Sequence, residues 1–400
     1  MAGFLRRVLR KKEETILVLD IGTEAVKALI FAKNKEGFNF LANSLEYFER
    51  FGTFNTFSFE REVLERTVSK AITQAENRAG RKPEKILMTL PPNIFKARIV
   101  FQTHTRKDPQ KLITESEGKE ILKLLFEKSK KEIARAILTE QGISPKDIRF
   151  LYQKIFQIKI DGYQVPDFKG YRGKNIDFNI LSAFLPKSYS EGIENFLRNL
   201  GFKDIKLINQ IEGLILYLKE KKDIIFLDIG GITTQIFLTK AGTIEKIEEA
   251  AAGGEIFSQS LSERLGLTSQ EARILKERYA KNELTAESQS RIKEILSFAF
   301  SNWHNLLKDK LKKINPTGFL FPDIWIFGGG SMLPEIKKIS EKESRENFSF
   351  SNKSSLKIFY PKDIVKKIVG EAAIDGKALK SLSNPQYTTS FLIFYNTYAP

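Results

Sequence analysis

Residues 224–238 read IIFLDIGGITTQIFL, and residues 16–31 read ILVLDIGTEAVKALIF. Each is an apolar run that ends in Asp-Ile-Gly, turns, and resumes as a second apolar alternation. The turns are Asp20-Ile21-Gly22-Thr23 in the first and Asp228-Ile229-Gly230-Gly231-Ile232-Thr233-Thr234 in the second. Runs of β-branched and aromatic residues around such turns predict strand–turn–strand hairpins. The two aspartates lie roughly 200 positions apart, too far for a solenoid repeat, so the pattern predicts two related halves.

The turns carry a definite chemistry. Gly22, Gly230 and Gly231 let the backbone approach a phosphate, whose oxygens successive N–H groups can bind. The hydroxyls of Thr23, Thr233 and Thr234 add donors. Asp20 and Asp228, at the ends of buried strands, can hold Mg²⁺, which takes one or two carboxylates and keeps several waters. One such hairpin alone reads equally as a tight turn with a strand-end aspartate. Two copies predict a nucleotide tail clamped between lobes. A third element, residues 324–334 (IWIFGGGSMLP), runs a buried strand into Gly328-Gly329-Gly330 and a helix start at Ser331. Such a junction suits an adenine or ribose lying on backbone, or a plain strand-to-helix turn. The remaining glycine pair of this half, Gly253-Gly254, adds Gly254 as a candidate contact. No G-x-x-x-x-G-K-[ST] or G-x-G-x-x-G occurs, which removes the main support for P-loop and Rossmann readings.

Composition bounds the alternatives. With 400 residues, 42% hydrophobic and 28% charged, the chain can build two or three ordinary cores. It has no cysteine, which excludes disulfides, thiolate metal sites and cysteine nucleophiles. Its two histidines, His104 and His304, are too few for a histidine-rich metal site. The net charge of +16 would suit phosphate or anionic lipid, but the lysines are spread along the whole chain, which reads as solubility rather than a nucleic-acid interface. No apolar stretch is long enough to span a membrane, and the first residues lack the features of a signal peptide.

In this order, DIGT at 20–23, DIGGITT at 228–234 and FGGGSMLP at 327–334 resemble the actin-like ATPase superfamily, and within it the FtsA family of bacterial division proteins. The segment from Asp161-Gly162-Tyr163 through Asp167-Phe168-Lys169-Gly170-Tyr171-Arg172-Gly173 is similar to that family's D-G…D-P-x-G-M-x-G stretch, and Leu356–Pro361 and Asn384–Tyr387 fall where the family has similar motifs. The resemblance covers about residues 13–398. It implies an α/β fold of two duplicated ribonuclease-H-like lobes: 13–83 with 177–222 as the first (1A), and 223–254 with 319–400 as the second (2A). An α+β insert (1C) would span 84–176 and a helical insert (2B) 255–318, where the composition shifts toward charge. Ile121, Leu122, Leu124, Leu125, Ile133 and Ile137 would share the buried face of an insert helix.

The resemblance also assigns roles. ATP and Mg²⁺ become the expected cofactors, with Asp20 and Asp228 organising the metal and Gly329 and Gly330 backing the adenosine. Glu212 matches a glutamate that orients the attacking water in relatives. A surface position at a helix end is the alternative for it. Lys276 carries over from the family's A-E-x-x-K-x-x-Y-G helix, but the acidic ribose contact is Arg273 here, and the aspartate that often follows the second turn is Gln235. These departures favour binding over fast turnover.

FtsA relatives end in a membrane-docking helix, whereas this chain stops at Tyr398-Ala399-Pro400. Residues 1–12 (MAGFLRRVLRKK) instead place Met1, Phe4, Leu5, Val8 and Leu9 on one helical stripe, opposite Arg6, Arg7, Arg10, Lys11 and Lys12. That pattern reads as an interfacial helix on an anionic membrane, a basic tail, or a helix packed on its own lobe. The leading functional expectation is an ATP-binding, self-polymerising adaptor on the cytoplasmic face of the membrane that tethers the tubulin-like FtsZ. The alternative is a PilM-like scaffold of type IV pilus assembly, which holds a short peptide of a membrane partner. A small-molecule kinase on the same fold would need a catalytic base and substrate pocket for which no motif appears.

Overall fold

The computed structural model describes residues 14–34, 37–51, 60–218, 223–314, 321–337, 350–369 and 381–398. The expected helix at 1–12 lies outside the described residues.

The two quoted stretches form hairpins. β1 (Glu14–Ile21) pairs antiparallel with β2 (Ala25–Asn34), which pairs with β3 (Gly37–Tyr47). β10 (Ile224–Ile229), β11 (Thr234–Lys240) and β12 (Thr243–Ala250) repeat the arrangement. Each hairpin then gains parallel strands on its other side: β4 (Lys85–Thr89) and β9 (Asp204–Leu207) beside β1, β13 (Phe321–Phe327) and β14 (Phe350–Ile358) beside β10. Among the described residues both sheets have five strands, ordered β3-β2-β1-β4-β9 and β12-β11-β10-β13-β14. The duplication extends to register, because Asp20 stands opposite Lys27 and Asp228 opposite Gln235.

Central strands buried on both faces need unbroken apolar runs, and β1 and β10 have them. Ile16 and Val18 of β1, with Ile224 and Phe226 of β10, point into a core between the two sheets. Leu17, Leu19 and Ile21 point the other way, toward α1 (Arg61–Ala79) and α3 (Lys187–Asn199). Ile225, Leu227 and Ile229 pack on the helices of the second half, α5 (Glu255–Leu265), α6 (Ser269–Ala280) and α7 (Ala286–Ile314). The core between the sheets is filled by α4 (Gln210–Tyr217) and α10 (Thr388–Tyr398). Several of the 32 phenylalanines gather there, with Phe31 stacked on Phe394 and edge-on to Phe391. Two shorter helices, α8 (Pro334–Lys337) and α9 (Pro361–Val369), also belong to the second half.

An α+β insert departs from the first half. Its four-stranded sheet runs β5 (Lys96–Thr105), β8 (Asn175–Pro186), β6 (Ile148–Ile160), β7 (Tyr163–Val165), with α2 (Glu115–Gln141) packed on one face. The strands shift the expected limits of 84–176. β4 belongs to the first lobe's sheet, since it pairs in parallel with β1, whereas β8 belongs to the insert, paired antiparallel with both β5 and β6. The charge-rich stretch that suggested the boundary is the connection and helix inside the insert, not its edge. Ile121, Leu125, Ile133 and Ile137 are buried as expected, but Leu124 is 56% exposed, because α2 covers the sheet with a narrower stripe than the apolar run offered. The Asp161…Gly173 segment is structural. Asp161 accepts hydrogen bonds from the Lys174 and Asn175 N–H groups at the β6–β7 turn, and a Cβ at Gly173 would lie 2.1 Å from Ile160.

Arg106 anchors that insert. Its side chain is 1% exposed, pairs with both Glu117 oxygens at 2.7 and 3.0 Å, and donates to the Lys111 and Gly173 carbonyls. Arg106→Ala strands two carbonyls and one carboxylate. It is expected to destabilise the insert by about 2–3 kcal/mol, read as raised amide exchange in α2 with little change in α7.

Candidate functional site

The two hairpin tips meet, and together they line a cleft of about 510 Å³ between the lobes. The tips are built alike. Gly22 N–H donates to the Ala25 carbonyl at 2.9 Å, and Gly230 N–H to that of Thr233 at 2.9 Å. One hydrogen bond joins them: Thr23 Oγ1 accepts from Ile232 N–H at 3.1 Å. Glycine is required where they meet, because a Cβ at Gly231 would lie 2.4 Å from Thr23 Oγ1.

Below the tips lie the aspartates, both buried. Lys27 Nζ pairs with Asp20 Oδ2 at 3.0 Å, and Ser390 Oγ of α10 donates to the same oxygen at 3.1 Å. Asp228 receives the Gln210 amide at 2.9 Å. That amide also donates to Gln235 Oε1 at 2.6 Å, while Gln210 Oε1 accepts from Thr389 Oγ1 at 2.8 Å. Burial pushes the Asp228 carboxyl up to about 6. The Gln210 hydrogen bond and the Lys27 charge pull it back, and the Asp20 charge adds to the rise.

The second lobe supplies one wall. Gly328 has φ +85°, and a Cβ there would lie 2.5 Å from Asp228 Oδ1, so glycine alone allows this approach. Gly329 faces open space. The chain then makes a 3-10 turn over Gly329–Met332, and the α-helix begins at Pro334 rather than at Ser331, whose hydroxyl is turned back onto the Gly328 carbonyl. Lys276 of α6 reaches Glu24 Oε1 at 3.2 Å and the Gly254 carbonyl at 2.9 Å.

Asp20, Gly22, Thr23, Asp228, Gly230, Gly231, Thr233, Lys276, Gly328, Gly329 and Gly330 all line this one cleft. Three expected residues do not. Thr234 is fully buried, its hydroxyl donating to the Ala252 carbonyl and accepting from Trp303 Nε1. Gly254 caps α5, its N–H on the Gly230 carbonyl. Glu212 forms a capping box with Asn209 at the start of α4 and accepts from Asn396 Nδ2 at 3.3 Å. Its carboxylate is therefore spent on the helix end, and burial raises its affinity for a proton. The residue in the cleft is Gln210, two positions earlier. Lys27 and Gln210 escaped the sequence reading, although their positions relative to the hairpin aspartates could have drawn attention to Lys27. Gln235, opposite Asp228, joins the same network.

The arrangement fits a nucleotide tail with a divalent cation. The tips are closed to side chains but rich in backbone N–H groups, and two carboxylates with one lysine beneath them leave a net negative charge suited to one Mg²⁺. Among the described residues no group of three or more His, Cys, Asp or Glu side chains could hold a metal by itself, so such an ion would need phosphate and water ligands as well.

No family model matches the sequence, and no curated protein matches it. Solved structures do. One is the PilM–PilN type IV pilus biogenesis complex, at TM-score 0.68 and 15% identity over 95% of this chain and 98% of that one. Another is the ethanolamine utilization protein EutJ from Carboxydothermus hydrogenoformans, at TM-score 0.51 and 13% identity over 99% and 94%. The chain has the two-lobe actin-like ATPase fold.

Proposed function

We propose that the chain binds ATP with Mg²⁺ in the cleft, turns it over slowly, and serves as a PilM-like scaffold of type IV pilus assembly. The observation that carries the binding is the pair of like-built hairpins joined by the Thr23–Ile232 bond over Asp20 and Asp228. Asp20 and Asp228 would hold the cation, which supplies charge neutralisation at the phosphates. Lys27 and the tip N–H groups other than those of Gly22, Gly230 and Ile232, which the tips already use, would hold phosphate oxygens, and Gly329 would face the adenosine. Slow turnover follows from the side chains present. Gln210 can orient a water but cannot take its proton, while Glu24 is held by Lys276 and Glu277 by Tyr47. Phosphate release is expected below roughly 1 s⁻¹, the low end of ordinary turnover, in a coupled assay with saturating ATP. A faster rate would refute the role given to Gln210.

The adaptor reading puts PilM-like scaffolding ahead of FtsZ tethering, which rests on sequence motifs alone. A small opening between the insert and the connection that enters it from β4 supports it. Asn93 is 5% exposed there, with both amide atoms buried and unpartnered, beside a narrow opening lined by Ile94, Ile137, Ile143 and Phe184. The opening is about 10 Å³, room for a single water, so this free donor and acceptor can meet the N–H and C=O of an extended peptide only once the opening widens. Residues 1–12 would add an interfacial membrane contact through the apolar stripe and cationic face of their sequence. The test is binding of short peptides of a PilN-type partner against co-sedimentation with FtsZ filaments, with and without residues 1–12 and anionic vesicles. Peptide binding lost in Asn93→Leu supports the scaffold, whereas FtsZ recruitment without peptide binding restores the division reading.

A further inference from the structure

The wall of the cleft formed by α6 does more than line it. On one face of that helix, Arg273, Lys276 and Glu277 each reach the first lobe. Arg273 is 3% exposed, donates from Nη1 to the Phe48 carbonyl at 3.0 Å, and lays its guanidinium 4.9 Å from the Tyr47 ring centre and 5.6 Å from that of Phe51. Lys276 pairs with Glu24, and Glu277 accepts a hydrogen bond from the Tyr47 hydroxyl. These contacts join the helical insert of the second lobe to the end of β3 in the first. Lys276 and Glu277 line the cleft directly, with Tyr47 and Glu24 opposite them.

Arg273 is not a simple staple. Its Nε and Nη2 are buried without hydrogen-bond partners. Unmade bonds on a buried charged group are costly, and a buried arginine of this kind stabilises less than an apolar residue of similar volume would. The cost exists only while Tyr47 and Phe51 cover the guanidinium, because opening returns both donors to water. Closure is thus set by opposing contributions of similar size: one hydrogen bond, two ring contacts, the Tyr47–Glu277 bond and the Lys276–Glu24 pair against two stranded donors. Such a contact can open reversibly.

We propose that α6 is a latch on β3, with Arg273 and Tyr47 as its fastening, and that its opening gates nucleotide exchange. The gating part rests on the nucleotide reading above, whereas the latch itself does not. A nucleotide in the cleft would touch α6 and β3 at once and hold them together.

Two readouts test this on the full chain. Amide exchange in the nucleotide-free protein reads the latch. Arg273→Ala and Tyr47→Phe should each raise exchange in both 45–48 and 270–280, leaving α2 unchanged. Stopped-flow displacement of mant-ADP by excess ADP reads the gate, with dissociation expected at least tenfold faster in Arg273→Ala and several-fold faster in Tyr47→Phe. Arg273→Lys, which keeps the charge but loses the planar stacking, covers the case in which the alanine variant fails to fold. Exchange unchanged in every folded variant overturns the latch. Raised exchange with unaltered mant-ADP dissociation overturns the gate. A wild-type chain that binds no mant-ADP overturns the nucleotide reading and the gate with it, while the exchange result still decides the latch.

Discussion

Gly213→Ala should cost about 3 kcal/mol of stability, a large effect for one methyl group at a position that is helical and not strained. In most helices the same change gains up to about 1 kcal/mol, because alanine is the better helix former. Here the steric effect wins. A Cβ on Gly213 would lie 2.0 Å from the Leu392 carbonyl oxygen and 2.5 Å from its carbon, and backbone cannot swing aside as a flexible side chain can. Relief requires α4 and α10 to part. These two helices fill the core between the sheets, with Ile211 and Leu214 on one and Phe391, Leu392, Ile393 and Phe394 on the other. They also bring Gln210, Thr389 and Ser390 to the aspartates, so separation would loosen the cleft floor along with the core. Urea denaturation monitored by tryptophan fluorescence measures the effect, with Gly329→Ala, which meets open space, as the control. A Gly213→Ala midpoint equal to wild type would refute the close crossing.

What could be read from the sequence divides along physical lines. The paired hairpins were legible because a strand buried on both faces must be written as an uninterrupted apolar run, and a turn closed to side chains must be written as glycine. Both are local demands. The insert boundary was misplaced because β4 and β8 are each short apolar runs, and only their partners decide which sheet they join. Glu212 and Gln210 show the same limit on a smaller scale. They sit two positions apart at the start of α4, and nothing in the residues says which side chain enters the cleft. That depends on how the Asn209 capping box rotates the helix start. Thr234 looked like a third hydroxyl on the phosphate turn, but β11 begins at that residue and its side chain points to Trp303 instead. Arg273 read as a lost ribose contact, and its engagement with Tyr47 and Phe48 is a long-range contact that no local pattern encodes.

Asp228→Asn should move stability and binding in opposite directions. The native carboxyl holds its proton up to about pH 6, against an ordinary value of 3.8. A raised carboxylate value means that the native state binds more protons than the unfolded chain between those limits, so folding stability falls as pH rises from about 4 to 6. Above about pH 7 the full cost of the buried charge, about 3 kcal/mol, is present. Asparagine removes the charge and still accepts the Gln210 amide. In EDTA at pH 7.5 the variant should therefore be more stable than wild type by up to about 3 kcal/mol, and the difference should vanish near pH 4. Mg²⁺-dependent binding of mant-ATP should fall in the same variant, because one of the two carboxylates that would hold the ion is gone. A purely structural aspartate would lose stability on substitution, and a residue tuned only for folding would not keep a destabilising charge at neutral pH. A gain in stability together with a loss of Mg²⁺-dependent affinity would mark Asp228 as a charge that the fold holds in place for a ligand.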